Sequence, residues 1–570
     1  MSLEDLIRVG RGEETADLLI KNARVVDVLS GDIINAEVAV HGGRVAGFGH
    51  YDALSYMDLE NRFLCPGFID GHIHLESSLL TPPEFARAVT IHGTTAVVCD
   101  PHEIANVLGI DGINYMLRAS EGLPVTVYVM LPSCVPATGM ETSGAVLSSG
   151  DLALMLPQER VIGIAEMMNY PGVIAGDHEA LNKIRIAEGR PIDGHAPGLS
   201  GKQLCAYVNA GIRSDHECTT AAEALEKLRL GMHIMVRQGT TAQNLLEIIP
   251  IINHQNSRQF MFVTDDQHPE DLLENGHIDH LVRMAIAAGI KPLTAVQMAS
   301  INAATYFGLK DVGAVAPGYF ADFAILDDLE KVTVSRVIKR GQVVADRGLA
   351  QPFESEVPAR VIRSTVNIDN DSLRDLSVRA EPGRRLRAIG VIPGQITTEK
   401  LLLDPKVEDG LVVSDPERDI LKMAVVERHT ASGNVGLGFV KGFGIGRGAL
   451  ASSVAHDSHN VTVVGVSDAD MRAAVIEIAR MNGGAVVIVD GKVFASMALP
   501  IAGLMSDQPV KGVAAAAREV SGAAQELGCT LDDPLISLSF MALPVVPALK
   551  LTDKGLVDVE QFRLVGLWED

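Results

Sequence analysis

Basic residues are in short supply in this chain of 570 residues. Its 48 Lys and Arg face 72 Asp and Glu, a formal net charge of -24. A field of that sign repels phosphate backbones, so nucleic acid is excluded as an expected partner. A neutral or cationic small molecule and divalent metal both remain compatible with it. Cysteine is scarce as well: Cys65, Cys99, Cys134, Cys205, Cys218 and Cys529 form no C-x-x-C and no regular spacing. That pattern excludes a disulfide framework and reads as free thiols in a reducing compartment. No apolar run is long enough to span a bilayer. The amino terminus, Met1-Ser2-Leu3-Glu4-Asp5, lacks the basic-then-apolar pattern of a signal peptide. The expectation is a soluble, cytoplasmic protein without a membrane partner.

A chain of this length is too long for one compact core, so two to four domains are expected. The apolar content of 47% and the 54 glycines suit an α/β enzyme rich in glycine loops. Residues 1–65 hold short β-rich runs (16–20, 23–28, 36–40, 44–48) separated by turn residues, as in a small β-sheet domain. Between 66 and 308 apolar strands alternate with helical stretches, which is the pattern of parallel β/α units. The strand candidates are 68–73, 95–99, 125–131, 161–167, 191–194, 212–214, 233–237 and 260–264, and 220–230 and 270–288 are good helix formers. Eight such units match the size of a TIM-like (β/α)8 barrel. Residues 309–355 turn β-rich again around Pro317-Gly318. Pro352, Pro358 and Pro382-Gly383 then mark a linker, after which 356–570 carry further α/β units, with a helix at 468–481 and a strand at 485–489. Gly442 to Gly448 reads as a tight turn, since no Gly-Lys-Ser/Thr follows to make a phosphate loop.

The polar residues gather at strand ends. The first strand runs into His72 and His74, which point to the same side because strand residues i and i+2 do. The second ends in Asp100, His102 and Glu103, the fourth carries Glu166, and the fifth ends in His195. The sixth ends in Asp215, His216 and Glu217, and the eighth in Asp265 and Asp266. Ligands and catalytic groups of this fold sit at the carboxyl ends of the strands. Burying so many ionisable groups without a counter-ion costs many kcal/mol. A pair of divalent cations removes that cost. Oxygen and imidazole donors suit Mn, Fe(II) or Zn, and the absence of thiolates argues against a structural zinc site.

Four stretches carry a family resemblance: Pro66-Gly67-Phe68-Ile69-Asp70-Gly71-His72-Ile73-His74-Leu75-Glu76-Ser77-Ser78, Asp100-Pro101-His102-Glu103-Ile104-Ala105-Asn106-Val107, Gly163-Ile164-Ala165-Glu166-Met167-Met168-Asn169 and Thr264-Asp265-Asp266. The chain resembles the bacterial adenine deaminase family of the amidohydrolase superfamily, over essentially its whole length. The resemblance implies a metal-dependent hydrolase barrel over 66–308. It also implies a discontinuous β-sandwich from 1–65 and 309–355, and a carboxyl-terminal α/β domain of the adenine-deaminase type over 356–570. It implies two divalent metal ions, with Mn expected and Fe(II) or Zn as alternatives. His72, His74 and Asp265 would hold one ion, His195 and His216 the other, and Glu166 would bridge them in place of the carboxylated lysine of many relatives.

The implied reaction is hydrolysis of adenine to hypoxanthine and ammonia, a step of purine salvage or catabolism. Two metals about 3.5–4 Å apart lower the pKa of a bridging water towards neutrality, and the hydroxide attacks C6. Asp265 would take the water's proton and deliver it to the departing ammonia. An acid must also serve N1, and Glu217, His102 and Glu103 stay open for that role. Asp100 and Asp266 either hold the purine or buttress a histidine ligand. His456 and His459, in the polar run 455–460, either close the purine pocket or form an interface loop. His92, His178, His233, His254, His268, His277 and His280 read as structural. A homo-oligomer, a dimer, is expected. A cyclic amidase would carry the strand-four lysine, and the cytidine-deaminase type of enzyme would show Pro-Cys-x-x-Cys after its His-x-Glu. Neither pattern is present. A non-catalytic relative would have lost ligands that this chain keeps.

Overall fold

The structure is a computed structural model that describes residues 2–355 and 364–569. Pro358, expected in the linker, lies outside the described residues.

The strands Phe68–Ile73, Thr94–Cys99 and Phe260–Val263 are buried on both faces, as parallel strands covered by helices must be. Phe68–Ile73, Thr94–Cys99, Thr126–Leu131, Val161–Met167 and Ile192–Gly194 form a five-stranded parallel sheet in that order. Ser214–Asp215, His233–Arg237 and Phe260–Val263 form a three-stranded parallel sheet. The two sheets are linked at both margins. Arg213 N donates to Ile192 O at 3.4 Å, while His74 N donates to Asp265 O at 3.2 Å and Asp265 N to His72 O at 3.0 Å. All the strands therefore deliver their carboxyl ends to one rim.

Three strands, 68–73, 161–167 and 233–237, start and end where the sequence places them. The helix expected over 270–288 is instead two helices, Pro269–Glu274 and Ile278–Ala287. Gly276 sits between them at φ +99, a conformation that L side chains rarely adopt. The Asp279 carboxylate accepts from His277 N at 2.8 Å and so satisfies the start of the second helix.

Runs 16–20 and 23–28 are one strand, Ala16–Asp27, with a register shift around Asn22, whose φ is 52. Phe323–Asp328 pairs antiparallel with Phe63–Pro66, so the two flanks of the β/α body share one nine-stranded sheet. Only the last part of the β-rich stretch after residue 312 is strand. A short helix, Leu3–Gly10, opens the chain, held by a reciprocal cap between Ser2 and Asp5.

The carboxyl-terminal part is built on an eight-stranded sheet whose central strands are Val435–Lys441, Ile420–Val426, Val461–Gly465 and Ala449–Ser452. The helix Asp468–Met481 packs on it, started by the Ser467 hydroxyl, which accepts from Asp470 N at 3.1 Å. Gly444 stands in the predicted turn at φ +77, where a Cβ would come 2.6 Å from Gly528 O. One apolar cluster runs from Leu79, Leu80 and Phe85 of the β/α body to Leu504, Met505, Val513 and Leu538. The carboxyl-terminal part is thereby fused onto the rim by shared core.

Candidate active site

His72 stands on the first strand and His74 just past its end, with their Nε2 atoms 3.3 Å apart. Two residues before His72, the strand is pinned by a buried carboxylate. The Asp70 carboxylate accepts from His72 N (3.2 Å), Thr264 N (3.2 Å) and Thr264 Oγ1 (2.5 Å). His277 Nε2 lies 3.1 Å from Asp70, and His277 Nδ1 is 2.8 Å from Thr94 Oγ1. All four groups are buried. A carboxylate inside an apolar strand needs such partners, and here they lock the first strand to the residue preceding Asp265. Asp265 itself has φ +61, a strained conformation for a non-glycine residue that the surrounding bonds must hold. Its Oδ1 lies 3.1 Å from His74 Nε2 and 3.7 Å from His72 Nε2.

Glu166 is the hinge of the cluster. Its Oε1 is 3.3 Å from His74 Nε2 and 3.3 Å from His102 Nδ1. Its Oε2 is 2.6 Å from His195 Nδ1 and 3.2 Å from His216 Nε2. Burial would push this carboxyl up, but the His195, His102 and His216 rings hold it well below the usual carboxylate range. Burial likewise opposes charge on His195, but Glu217 and Glu166 lift it to about 9. The His216 ring stacks on His72, with centroids 4.3 Å apart and planes at 19°. The loops carrying His195 and His216 are tied by Asp215, which accepts from Ala196 N (3.0 Å) and Glu217 N (2.7 Å). Lys227 Nζ sits 3.2 Å from Asp215 and donates to Ala196 O at 2.8 Å.

These residues fit divalent cations. His72, His216 and Asp265 bring donor atoms within 4.8 Å of one another, as do Glu166, His195 and His216, and His74, Asp100, His102 and Glu166. The donors are imidazole nitrogens and carboxylate oxygens, a set suited to borderline and hard divalent ions. The Asp100 Oδ1 and His216 Nδ1 atoms are buried without a hydrogen-bond partner.

Above this cluster the carboxyl-terminal part reaches in. Glu103, on the first turn of the helix His102–Leu108, meets His456 Nδ1 with Oε1 at 2.6 Å and His459 Nε2 with Oε2. His459 Nδ1 accepts from Ala455 N at 3.1 Å, so both its ring nitrogens are engaged within the protein. Burial opposes charge on His456, but Glu103 lifts it to about 9, whereas burial pushes His459 down to about 4. The His456 ring stacks on Phe540, with centroids 4.7 Å apart and planes at 17°. Asp100 Oδ2 holds His102 Nδ1 at 3.1 Å. Asp266 accepts from the Ser77 hydroxyl and lines a cleft together with Ser77, His268, His456, Met497 and Phe540. Every site residue expected from the sequence thus lies in one assembly. The Glu217 carboxylate is gripped by Arg237, which outweighs burial and keeps it below its ordinary value.

Four contributors were not anticipated: Asp70, Lys227, Arg237 and Phe540. Arg237 ends the seventh strand, and its place on the rim was the available signal. Asp457, within the polar run 455–460, lies 3.9 Å from His102 Nε2 and is lifted by burial to about 6; Phe540 comes from far along the chain, where no local pattern announces it. Of the histidines read as structural, His277 supports the first strand. His268 faces the cleft, 3.4 Å from Asp533.

The amidohydrolase family matches residues 63–344, and the adenine deaminase C-terminal domain matches residues 395–563. An adenine deaminase of Desulfatibacillum aliphaticivorans is 52% identical over 99% of this chain and 100% of its own length. One of Methanothrix thermoacetophila is 49% identical over 100% of both. Among solved structures, an enamidase of the amidohydrolase superfamily covers 59% of this chain and 98% of its own, at 17% identity and a TM-score of 0.45. With half its residues shared with such relatives from end to end, the chain belongs to the adenine deaminases of the amidohydrolase family.

Proposed function

We propose that this protein hydrolyses adenine to hypoxanthine and ammonia. The observation that carries the reading is Glu166, whose two oxygens face two separate pairs of histidines beneath a cleft lined by polar groups and an aromatic stack. We read the eight strands as a closed (β/α)8 barrel over 66–308. The shared sheet of 1–65 and 309–355 is read as the discontinuous β-sandwich, and 356–570 as the adenine-deaminase-type domain. His72, His74 and Asp265 would hold one divalent ion, His195 and His216 a second, and Glu166 both, with Mn as the proposed metal. Bound divalent ions supply a water with its pKa lowered towards neutrality.

The chain's own groups do the rest. Asp265 Oδ1, turned towards the histidine Nε2 atoms, takes the proton of the attacking water and returns it to the departing N6. The proton for N1 comes from His456 through Glu103. Against burial, His456, His459 and His102 hold Glu103 ionised as Arg237 holds Glu217, but an imidazolium can pass its proton on and a guanidinium cannot. The second proton of the water, left on C6–OH, returns to this pair. His456, lifted to about 9, is charged at neutral pH and recharges Glu103. His459 orients Glu103 from its other oxygen, and His102 with Asp100 lines the space between. Asp266, steadied by Ser77, accepts the imidazole-edge N–H of the purine, and the Phe540–His456 stack offers it a flat face. The unpaired cysteines support a reducing compartment, the cytoplasm, and light scattering tests the dimer.

Metal-free protein reconstituted with Mn, Fe(II) or Zn and mixed with adenine should form hypoxanthine and ammonia. Absence of turnover with all of them defeats the proposal.

A further inference from the structure

Arg237 carries a full positive charge at the rim of a site that gathers cations, which is electrostatically unfavourable. Its geometry shows what offsets this. The side chain is 6% exposed. Nη1 and Nη2 grip both oxygens of Glu217, the second at 3.1 Å, and Nη1 also donates to Asp265 Oδ2 at 2.7 Å. Nε and Nη2 reach Asn244 Oδ1 at 3.3 and 3.2 Å, and Asn244 N is bonded back to Arg237 O at 3.1 Å. The guanidinium is a planar fork with fixed donor directions. Here the fork is filled by two carboxylates and an amide, and its own orientation is fixed from behind.

The consequence falls on the two carboxylates. With Oδ2 held by Arg237, Asp265 has one orientation left, Oδ1 towards His74 and His72. With both oxygens gripped, Glu217 keeps Oε1 3.5 Å from His216 Nε2 and 3.7 Å from His195 Nδ1. The geometry points to Arg237 as the positioning residue that sets Asp265 for one histidine pair and Glu217 for the other, and so prepares the centre before metal arrives. This rests on reading Asp265 and the four histidines as metal ligands.

Coulomb repulsion and positioning predict opposite signs for metal affinity. Removing a cation beside a cation site tightens binding if charge alone matters. It weakens binding if orientation matters, by about 10–100-fold for a partner that orients a ligand. The experiment titrates metal-free parent, Arg237→Ala and Arg237→Lys with Mn(II), following free Mn(II) by electron paramagnetic resonance, with no adenine present. The expected result is at least tenfold weaker binding in Arg237→Ala, an intermediate value in Arg237→Lys, and recovery of affinity in Arg237→Ala on adding guanidinium at a non-denaturing concentration. Equal or tighter Mn(II) binding, or weaker binding that guanidinium leaves unchanged, overturns the assignment. If Arg237→Ala does not fold, Arg237→Lys decides by the same sign. In Mn-saturated variants kcat should fall while KM stays within about threefold, since Asp265 and Glu217 are set towards the metals rather than the purine. A parent that binds Mn(II) but leaves adenine unchanged would defeat the deaminase reading and leave this titration interpretable.

Discussion

Replacing Lys227 with Met should cost far more than its distance from the reacting atoms suggests. Both Lys227 and Asp215 have fully buried side chains, 3.2 Å apart. Burial alone would lower the Lys227 ammonium, but Asp215 holds it above its ordinary value. Lys227→Met leaves Asp215 as an uncompensated buried charge, a change worth about 3–5 kcal/mol. It also removes the bond to Ala196 O, next to His195. For a domain of 150–250 residues each kcal/mol shifts Tm by about 2–4 °C, so the expected fall is about 6–20 °C. Differential scanning calorimetry on metal-free samples at one pH and concentration reads this directly. Asp215→Asn combined with Lys227→Met removes the orphaned charge and should regain about half of the loss, although Asn cannot accept from both Ala196 N and Glu217 N as well as the carboxylate does. A single Lys227→Met variant melting within about 2 °C of the parent would refute the argument. So would a double variant no more stable than the single.

Glu103→Gln should lower kcat by about 10²–10⁴ with little change in metal content, since general acid–base groups contribute on that scale. Steady-state kinetics beside elemental analysis checks it, and an unchanged kcat would remove Glu103 from proton transfer. Glu166→Gln should deplete metal bound by both histidine pairs together, measured by mass spectrometry of the dialysed protein; loss of only half would mean that Glu166 serves one pair. Phe540→Ala should raise KM for adenine roughly 2–12-fold, the value of an aromatic contact of about 0.5–1.5 kcal/mol, and an unchanged KM would place the purine elsewhere. Burial lifts Glu141 to about 8, and its Oε2 has no hydrogen-bond partner. The folded state then holds a proton that the unfolded chain loses near its ordinary pKa of about 4.5, so this group's contribution falls as pH rises through that window to about 8. Glu141→Gln should accordingly raise Tm at pH 8 and leave it unchanged near pH 4; the same gain at both pH values would mean that titration is not its source.

The strands were legible because parallel strands buried on both faces are mostly apolar, and the candidate pair His72 and His74 was legible because it obeys the two-residue repeat. Glu166, His195, His216 and Asp265 followed from their places at strand ends. The helix break at Gly276 was less visible, since the apolar spacing continues across it and the glycine's conformation depends on Asp279 meeting His277 N. Asp70 could have been suspected: an acid inside an apolar strand demands partners. Arg237 looks like any basic residue at the end of a strand until Glu217 and Asp265 are seen on either side. Phe540 depends on contacts across hundreds of residues. The apolar core shared with the carboxyl-terminal part, together with hydrogen bonds such as Ser506 N to Leu79 O and Asn460 to Thr142 O, brings it and the run 455–460 over Glu103.

The stacked pair of His456 and Phe540 has a consequence in time. A ribosome adds about 5–20 residues per second, so roughly 15–55 s pass between the synthesis of Asp266 and that of Phe540. Every proposed metal ligand has been made by the start of that interval, and the His456–Phe540 stack can form only at its end. In the growing chain the proposed ligands therefore precede, by tens of seconds, the groups that come to cover them.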